Sequence, residues 1–146
     1  MGRTTARRAV GLVGWSPVDR HGPQLTWLAA GGLLVGVVLA VTGPPPVDLH
    51  GPLHYLGIMD PLCGMTRGVI WTLRGRLGRA WTYNPASPLL VAGALVVLLR
   101  AAVGWRTGRW LTVTLGGSRL LRVVAVVAVL ALWANQQHHT ALLSAR

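Results

Sequence analysis

Three long apolar stretches, separated by short polar or proline-containing segments, dominate the pattern of this chain. They cover residues 25–42, 88–105 and 118–135, and carry few charged side chains. At the rise of an α-helix each stretch approaches the thickness of a hydrocarbon core, although the third is slightly short. Gly43-Pro44-Pro45-Pro46 ends the first stretch, because proline cannot continue the hydrogen-bond ladder. The pattern predicts an all-α polytopic membrane protein with three transmembrane helices.

A fourth helix, more polar than the others, is predicted between the first and second spans. Asp60 suits the N-cap and Pro61 the first helical position, while Asn84-Pro85 should end the helix near Tyr83. This helix, over about residues 61–83, contains four arginines and is too charged to cross lipid freely. We therefore expect an amphipathic helix that lies at the interface or in a groove between spans.

The remaining segments complete a one-domain organisation. Residues 1–24 form a polar, arginine-rich N-terminal tail, expected to be disordered or surface-bound. Residues 25–135 form a single membrane domain, and residues 136–146 form a polar C-terminal tail. A cleavable signal peptide is the alternative for the first apolar stretch, but its charged region would be unusually long. Residues 111–115 alternate like a short strand, although an interfacial turn fits equally well, and the third span could borrow this segment.

The charge distribution indicates a membrane partner and an orientation. The formal net charge of +11 comes from fourteen arginines and no lysine, a usage that fits a GC-rich bacterial genome. These arginines flank the apolar stretches, so we expect contact with lipid headgroups and no binding of nucleic acid. Nine of them would be cytoplasmic if the N-terminus were inside, against five outside. The positive-inside bias therefore predicts a multi-pass protein of the cell membrane with a cytoplasmic N-terminus and an external C-terminus.

A motif after the first span resembles a family signature. The residues that carry it are Pro61, Cys63, Gly64, Thr66, Arg67, Gly75, Ala80, Asn84 and Pro85. In order and spacing they resemble domain-of-unknown-function family 2752, small bacterial membrane proteins whose signature reads approximately Cys-Pro-x-Cys-Gly-x-Thr-Arg. The resemblance extends over about residues 25–135, and it implies architecture more than chemistry. Asp60 replaces the first cysteine of the signature, so a reaction that needs two thiols is not possible within this chain.

Three residues in and beside the motif could carry chemistry. As the third residue of the predicted helix, Cys63 would lie at the positive end of the helix dipole, which favours a thiolate; the alternative is a small apolar residue packed at a helix start. Asp60 could act as a general base, although an aspartate before proline is more often a cap. Arg67 should be paired with Asp60, backbone carbonyls or a lipid phosphate, or should extend to the headgroups.

Other chemistry has less support in the sequence. His50, His54, Asp60 and Cys63 could in principle form a metal site, but Gly51-Pro52 disfavours a helical pairing of the histidines, so we predict no metal and no cofactor.

We expect an accessory or scaffold component of a membrane system and not an enzyme. It should contact lipid, and it could bind a membrane-protein partner. A membrane enzyme or thiol-dependent factor using Cys63 with Asp60 and Arg67 is one alternative. Handling of lipid headgroups or ions by the arginine-lined helix is another. The sequence predicts no oligomeric state.

Overall fold

The described part of the chain is mainly helical, with one small sheet. A computed structural model describes residues 12–44, 60–114 and 119–139. Within these ranges the elements are, in chain order, β1 (Leu12–Ser16), α1 (Gly22–Thr42), α2 (Met65–Leu73), α3 (Leu77–Tyr83), α4 (Ala86–Thr107), β2 (Trp110–Thr114) and α5 (Arg119–His138). Three of these helices, α1, α4 and α5, are long and apolar enough to cross a membrane. The predicted fold class, a helical polytopic membrane protein, is confirmed.

Local signals in the sequence explain where the spans start and stop. Helix α1 starts at Gly22, slightly earlier than predicted, because Pro23 in its first turn has a backbone already suited to a helix. It ends at Gly43, whose positive φ of 94° is readily adopted only by glycine. Helix α4 ends in the same way at Gly108, which has a φ of 65°. Helix α5 extends to His138, so the first residues of the predicted C-terminal tail are helical.

The small sheet corrects the prediction that the whole segment before the first span is a tail. Strand β1 pairs antiparallel with β2, and Gly14 lies opposite Thr112. The Thr112 hydroxyl donates to the Gly14 carbonyl at 2.9 Å. The pairing also decides between the strand and the turn considered for this segment, because Trp110–Thr114 form a strand and do not extend the third span.

The predicted helix over 61–83 is in fact two helices, α2 and α3. Gly75, between them, has a φ of 73°, which interrupts the helical backbone after Arg74. Helix α2 also begins later than predicted, at Met65, because Gly64 has a φ of 74°. The end of α3 is as predicted: Asn84 adopts an extended backbone, the conformation that a following proline favours.

The connections define two ends of the molecule. Strand β1 precedes α1 and β2 follows α4, so the start of α1 and the end of α4 meet at what we call the sheet end. Helices α2 and α3 lie at the opposite end, here called the motif end, where α2 packs against α1, α3 and α4. Gly36 of α1 allows this approach, since a Cβ there would lie 3.0 Å from Leu73 and 3.1 Å from Val69. Helix α5 makes no extensive contact with another described element.

Candidate functional site

The motif begins with a tight turn instead of a helix. The Asp60 Oδ1 atom accepts a hydrogen bond from the Leu62 amide at 2.7 Å, and the Cys63 amide donates to the Asp60 carbonyl at 3.1 Å. The left-handed Gly64 then separates this turn from α2. The prediction that Asp60 and Pro61 start the helix that carries Cys63 is therefore wrong: Asp60 caps a turn, and Cys63 lies in that turn, before the helix.

Asn84 connects this turn to the junction of α3 and α4. Its side chain is fully buried, and its amide nitrogen donates to the carbonyls of Pro61 and Cys63, both at 3.0 Å. Its side-chain oxygen accepts a hydrogen bond from the Ala86 amide at 3.0 Å. A primary amide has two N–H donors, and both are used here. Asn84 thus joins the start of the motif to the start of α4.

Close packing surrounds Asn84. The hydroxyl of Ser87, which is fully buried, donates to the Asn84 carbonyl at 2.7 Å. Gly68 of α2 lies directly against Ser87, because a Cβ at Gly68 would be only 2.7 Å from the Ser87 Cβ. Ala80 of α3 is also fully buried, and its carbonyl would lie 3.4 Å from that same added carbon. Any larger side chain at Gly68 would force α2 away from α4.

Cys63 has the environment of a packed thiol. Cys63 is only 6% exposed, and the partly buried ring of Tyr83 packs against it. Burial raises the pKa of the Cys63 thiol, and the nearby Asp60 carboxylate adds to that rise. The sequence predicted a position that favours the thiolate, and the structure places the thiol where the neutral form is favoured. The physical reason is that Cys63 lies in the turn and not in the first turn of α2.

The other motif residues are spread around this turn. Arg67 is partly buried in α2, and its guanidinium carbon lies 5.8 Å from the centre of the Tyr83 ring. Thr66 is exposed, and Pro85 occupies the position before α4. The structure therefore gathers Asp60, Cys63 and Asn84 by hydrogen bonds, while Arg67 meets the cluster through Tyr83.

The metal hypothesis involves residues outside the described ranges. His50 and His54 both fall in the segment between residues 44 and 60, which lies outside the part of the chain that the structure describes. Among the described residues, no three histidine, cysteine, aspartate or glutamate side chains come close enough to hold a metal ion.

Sequence reasoning missed a second polar cluster, at the sheet end. Arg100 lies within α4, and one of its terminal nitrogens is 2.6 Å from the Asp19 carboxylate. Its Nε atom donates to the Leu111 carbonyl, and its guanidinium lies 5.4 Å from the centre of the Trp110 ring. The hydrogen bond from Arg100 lowers the pKa of Asp19. A lone arginine inside an apolar span was the available signal, because such a charge requires a partner.

The fold and the motif together define a small polytopic membrane protein whose first loop and second span are joined by a buried asparagine. The model of one family, described as a protein of unknown function (DUF2752), matches residues 52–98. That range contains the Asp60 turn, α2, α3 and the first half of α4, so the resemblance predicted from the motif is confirmed. No curated protein and no solved structure matches the chain.

Proposed function

We propose that this chain is a non-enzymatic accessory or scaffold component of a membrane system. The observation that carries the proposal is the internal use of the motif. Both N–H groups of Asn84 bind backbone carbonyls of the motif turn, and the Ser87 hydroxyl binds the Asn84 carbonyl. Polar groups that are satisfied within the chain hold a shape and leave little to act on a substrate.

The same geometry argues against the thiol-dependent alternative. A nucleophilic cysteine requires an accessible thiolate, whereas Cys63 is buried and its pKa is raised. Asp60, the other member of that hypothesis, already accepts a hydrogen bond from the turn backbone.

Helix α5 is the surface that we propose for a membrane-protein partner. Its residues from Arg119 to Ala131 are all exposed, and it is the least packed of the three apolar helices. Helix α5 makes no extensive contact with another described element, so this exposed face is free to pack against a further membrane helix. A second membrane polypeptide against α5 fits these features.

The orientation follows from the positive-inside bias. We propose that the sheet end, which carries Arg20, Arg106 and Arg109, faces the cytoplasm of the cell. The motif end and the C-terminus would then lie on the outer side. Reporter fusions at both termini test this: an external reporter signal at the C-terminus supports it, and a cytoplasmic one contradicts it.

Photo-crosslinking in native membranes tests the partner. A photoreactive residue at Val126 of α5 should give one discrete product that contains a second membrane polypeptide. The same residue at Leu34 of α1, which is similarly exposed, is the matched control and should give mainly lipid adducts. Products of equal yield at both positions would contradict the assignment of α5.

Two substitutions separate the scaffold proposal from the thiol alternative. Cys63→Ala should leave the amount of folded protein and the yield of the α5 crosslink nearly unchanged. Asn84→Ala should lower both, because it leaves two carbonyls and the Ala86 amide without their partner. Loss of the crosslink in Cys63→Ala, with the folded protein still present, would favour a thiol-dependent role.

A further inference from the structure

Three arginines gather around one tryptophan at the motif end. The guanidinium carbons of Arg74, Arg76 and Arg79 lie 5.4, 5.5 and 4.8 Å from the centre of the Trp71 ring. All three arginines are exposed, while Trp71 is partly buried. We call these four residues the arginine–tryptophan cluster. It forms because α2 and α3 meet at Gly75, which brings the end of one helix beside the start of the next.

This cluster has no acidic partner within the described residues. Among the described residues, Asp19 forms its ion pair with Arg100, at the opposite, sheet end of the molecule. Asp60, at the motif end, is engaged with the Leu62 amide. A ring attracts each guanidinium only modestly, and three like charges around it repel one another. Three guanidinium groups without an acidic partner among the described residues are suited to bind an anion.

The cluster lies at the level where α1 ends. The Arg74 Nε atom donates to the Ala40 carbonyl, in the last turn of α1, at 2.7 Å. Leu77 and Trp81 lie beside the arginines along α3, and each is 58% exposed. Exposed tryptophan and leucine next to arginine, at the end of an apolar span, are typical of the membrane–water interface. The anion expected at this depth is a lipid phosphate.

We propose that the arginine–tryptophan cluster binds the phosphate of an anionic phospholipid headgroup. The planar fork of arginine donates two parallel hydrogen bonds to phosphate oxygens, and more than one fork can share a phosphate. The Trp71 ring lies within cation–π distance of all three guanidinium groups, and the exposed Leu77 and Trp81 would border the lipid tails. This site is independent of the scaffold role, which rests on Asn84 and α5.

Native mass spectrometry of the purified full-length chain tests the proposal. The probes are phosphatidylglycerol, phosphatidylcholine and inorganic phosphate. The variant Arg76→Gln/Arg79→Gln removes two charges and spares Arg74, whose hydrogen bond to α1 contributes to the fold. The matched control, Arg106→Gln/Arg109→Gln, removes two exposed charges at the sheet end, where Arg109 lies 5.8 Å from the Trp15 ring.

The expected result is preferential binding of phosphatidylglycerol over phosphatidylcholine by the unmodified chain. An arginine near a membrane surface contributes roughly fivefold in affinity, so the cluster variant should bind about 25-fold more weakly and the control should change little. Equal weakening in both variants would mean a general charge effect and would overturn the proposal. Equal binding of both lipids would overturn it too, and binding of inorganic phosphate as tight as that of phosphatidylglycerol would assign the cluster to the free anion.

A single substitution serves if the double variant does not fold. Arg79→Gln removes the guanidinium closest to the Trp71 ring and leaves both neighbouring arginines in place. Its melting temperature should stay near that of the unmodified chain, and its affinity for phosphatidylglycerol should fall roughly fivefold. Unchanged affinity in a folded Arg79→Gln variant would overturn the proposal.

Discussion

Gly68→Ala tests whether the close approach of α2 and α4 stabilises this protein. The added methyl group would overlap the Ser87 hydroxyl oxygen and lie 2.7 Å from the Ser87 Cβ. Ser87 is fully buried and hydrogen-bonded to the Asn84 carbonyl, so it has no open space to move into. We expect Gly68→Ala to be strongly destabilising.

The size of the effect follows from these contacts. Carbon atoms in contact prefer separations of about 3.5–4.0 Å, so α2 and α4 must separate by roughly 1 Å. Overpacking of this kind costs about 1–3 kcal/mol, and loss of the Ser87 hydrogen bond adds about 1 kcal/mol. The free energy of unfolding should therefore fall by about 2–4 kcal/mol.

The assay is reversible unfolding of the purified chain in mixed micelles, followed by tryptophan fluorescence. Gly93→Ala is the control, because Gly93 lies in α4 with nothing within 4 Å of an added Cβ. Alanine is the better helix former, so this control should be neutral or stabilising by up to about 1 kcal/mol.

A compensating substitution at Ser87 tests the same contact from the side of α4. Ser87→Gly removes both atoms that clash with the new methyl group, so it should recover part of the stability lost in Gly68→Ala. The two changes should therefore couple by more than about 1 kcal/mol in a double-mutant cycle. Unfolding of Gly68→Ala at the same denaturant concentration as the unmodified chain, or simple additivity in the cycle, would refute the packing argument.

Three further predictions concern polar groups. Because burial raises the pKa of the Cys63 thiol, maleimide labelling of Cys63 should be slow at pH 7. Its rate should rise at a higher pH than the labelling rate of an exposed cysteine does, and fast labelling at pH 7 contradicts this. Since Arg100 lowers the pKa of Asp19 below its unfolded value, their ion pair contributes stability above that value and loses it as pH falls through the folded pKa. Acid titration should thus destabilise the unmodified chain more than Asp19→Asn, and parallel curves would show that the pair contributes nothing. Gln136→Met should stabilise the isolated chain by about 1–2 kcal/mol, because neither polar atom of the Gln136 side chain has a partner in the described structure; a lower melting temperature would reveal a partner.

The spans were predictable because their information is local. A run of apolar residues defines a membrane helix by length alone, and proline or glycine at its edge defines the end. The break at Gly75 was not predictable in the same way. The chain contains 19 glycines, and nothing in the sequence distinguishes one with a positive φ from one inside a helix.

The site depends on contacts between distant positions, and these a single sequence does not reveal. Asn84-Pro85 was recognised as a helix stop, which it is, yet the Asn84 side chain also binds carbonyls 21 and 23 residues earlier. Arg100 and Asp19 are 81 residues apart, so the arginine could be flagged as costly but its partner could not be named. The segment 111–115 was ambiguous between a strand and a turn for the same reason, because the strand that pairs with Trp110–Thr114 lies before the first span.

These contacts join α1 and α4 at both ends of the molecule. At the sheet end the β1–β2 pairing and the Arg100–Asp19 ion pair connect the start of α1 to the end of α4. At the motif end Arg74 binds the last turn of α1, while Gly68 packs against Ser87 at the start of α4. Helix α5 has no comparable connection to the described elements. Within the described residues, α1 and α4 are thus connected at both ends, whereas α5 lies outside this pair. This difference in packing is the physical reason to seek a partner at α5 and a lipid at α2 and α3.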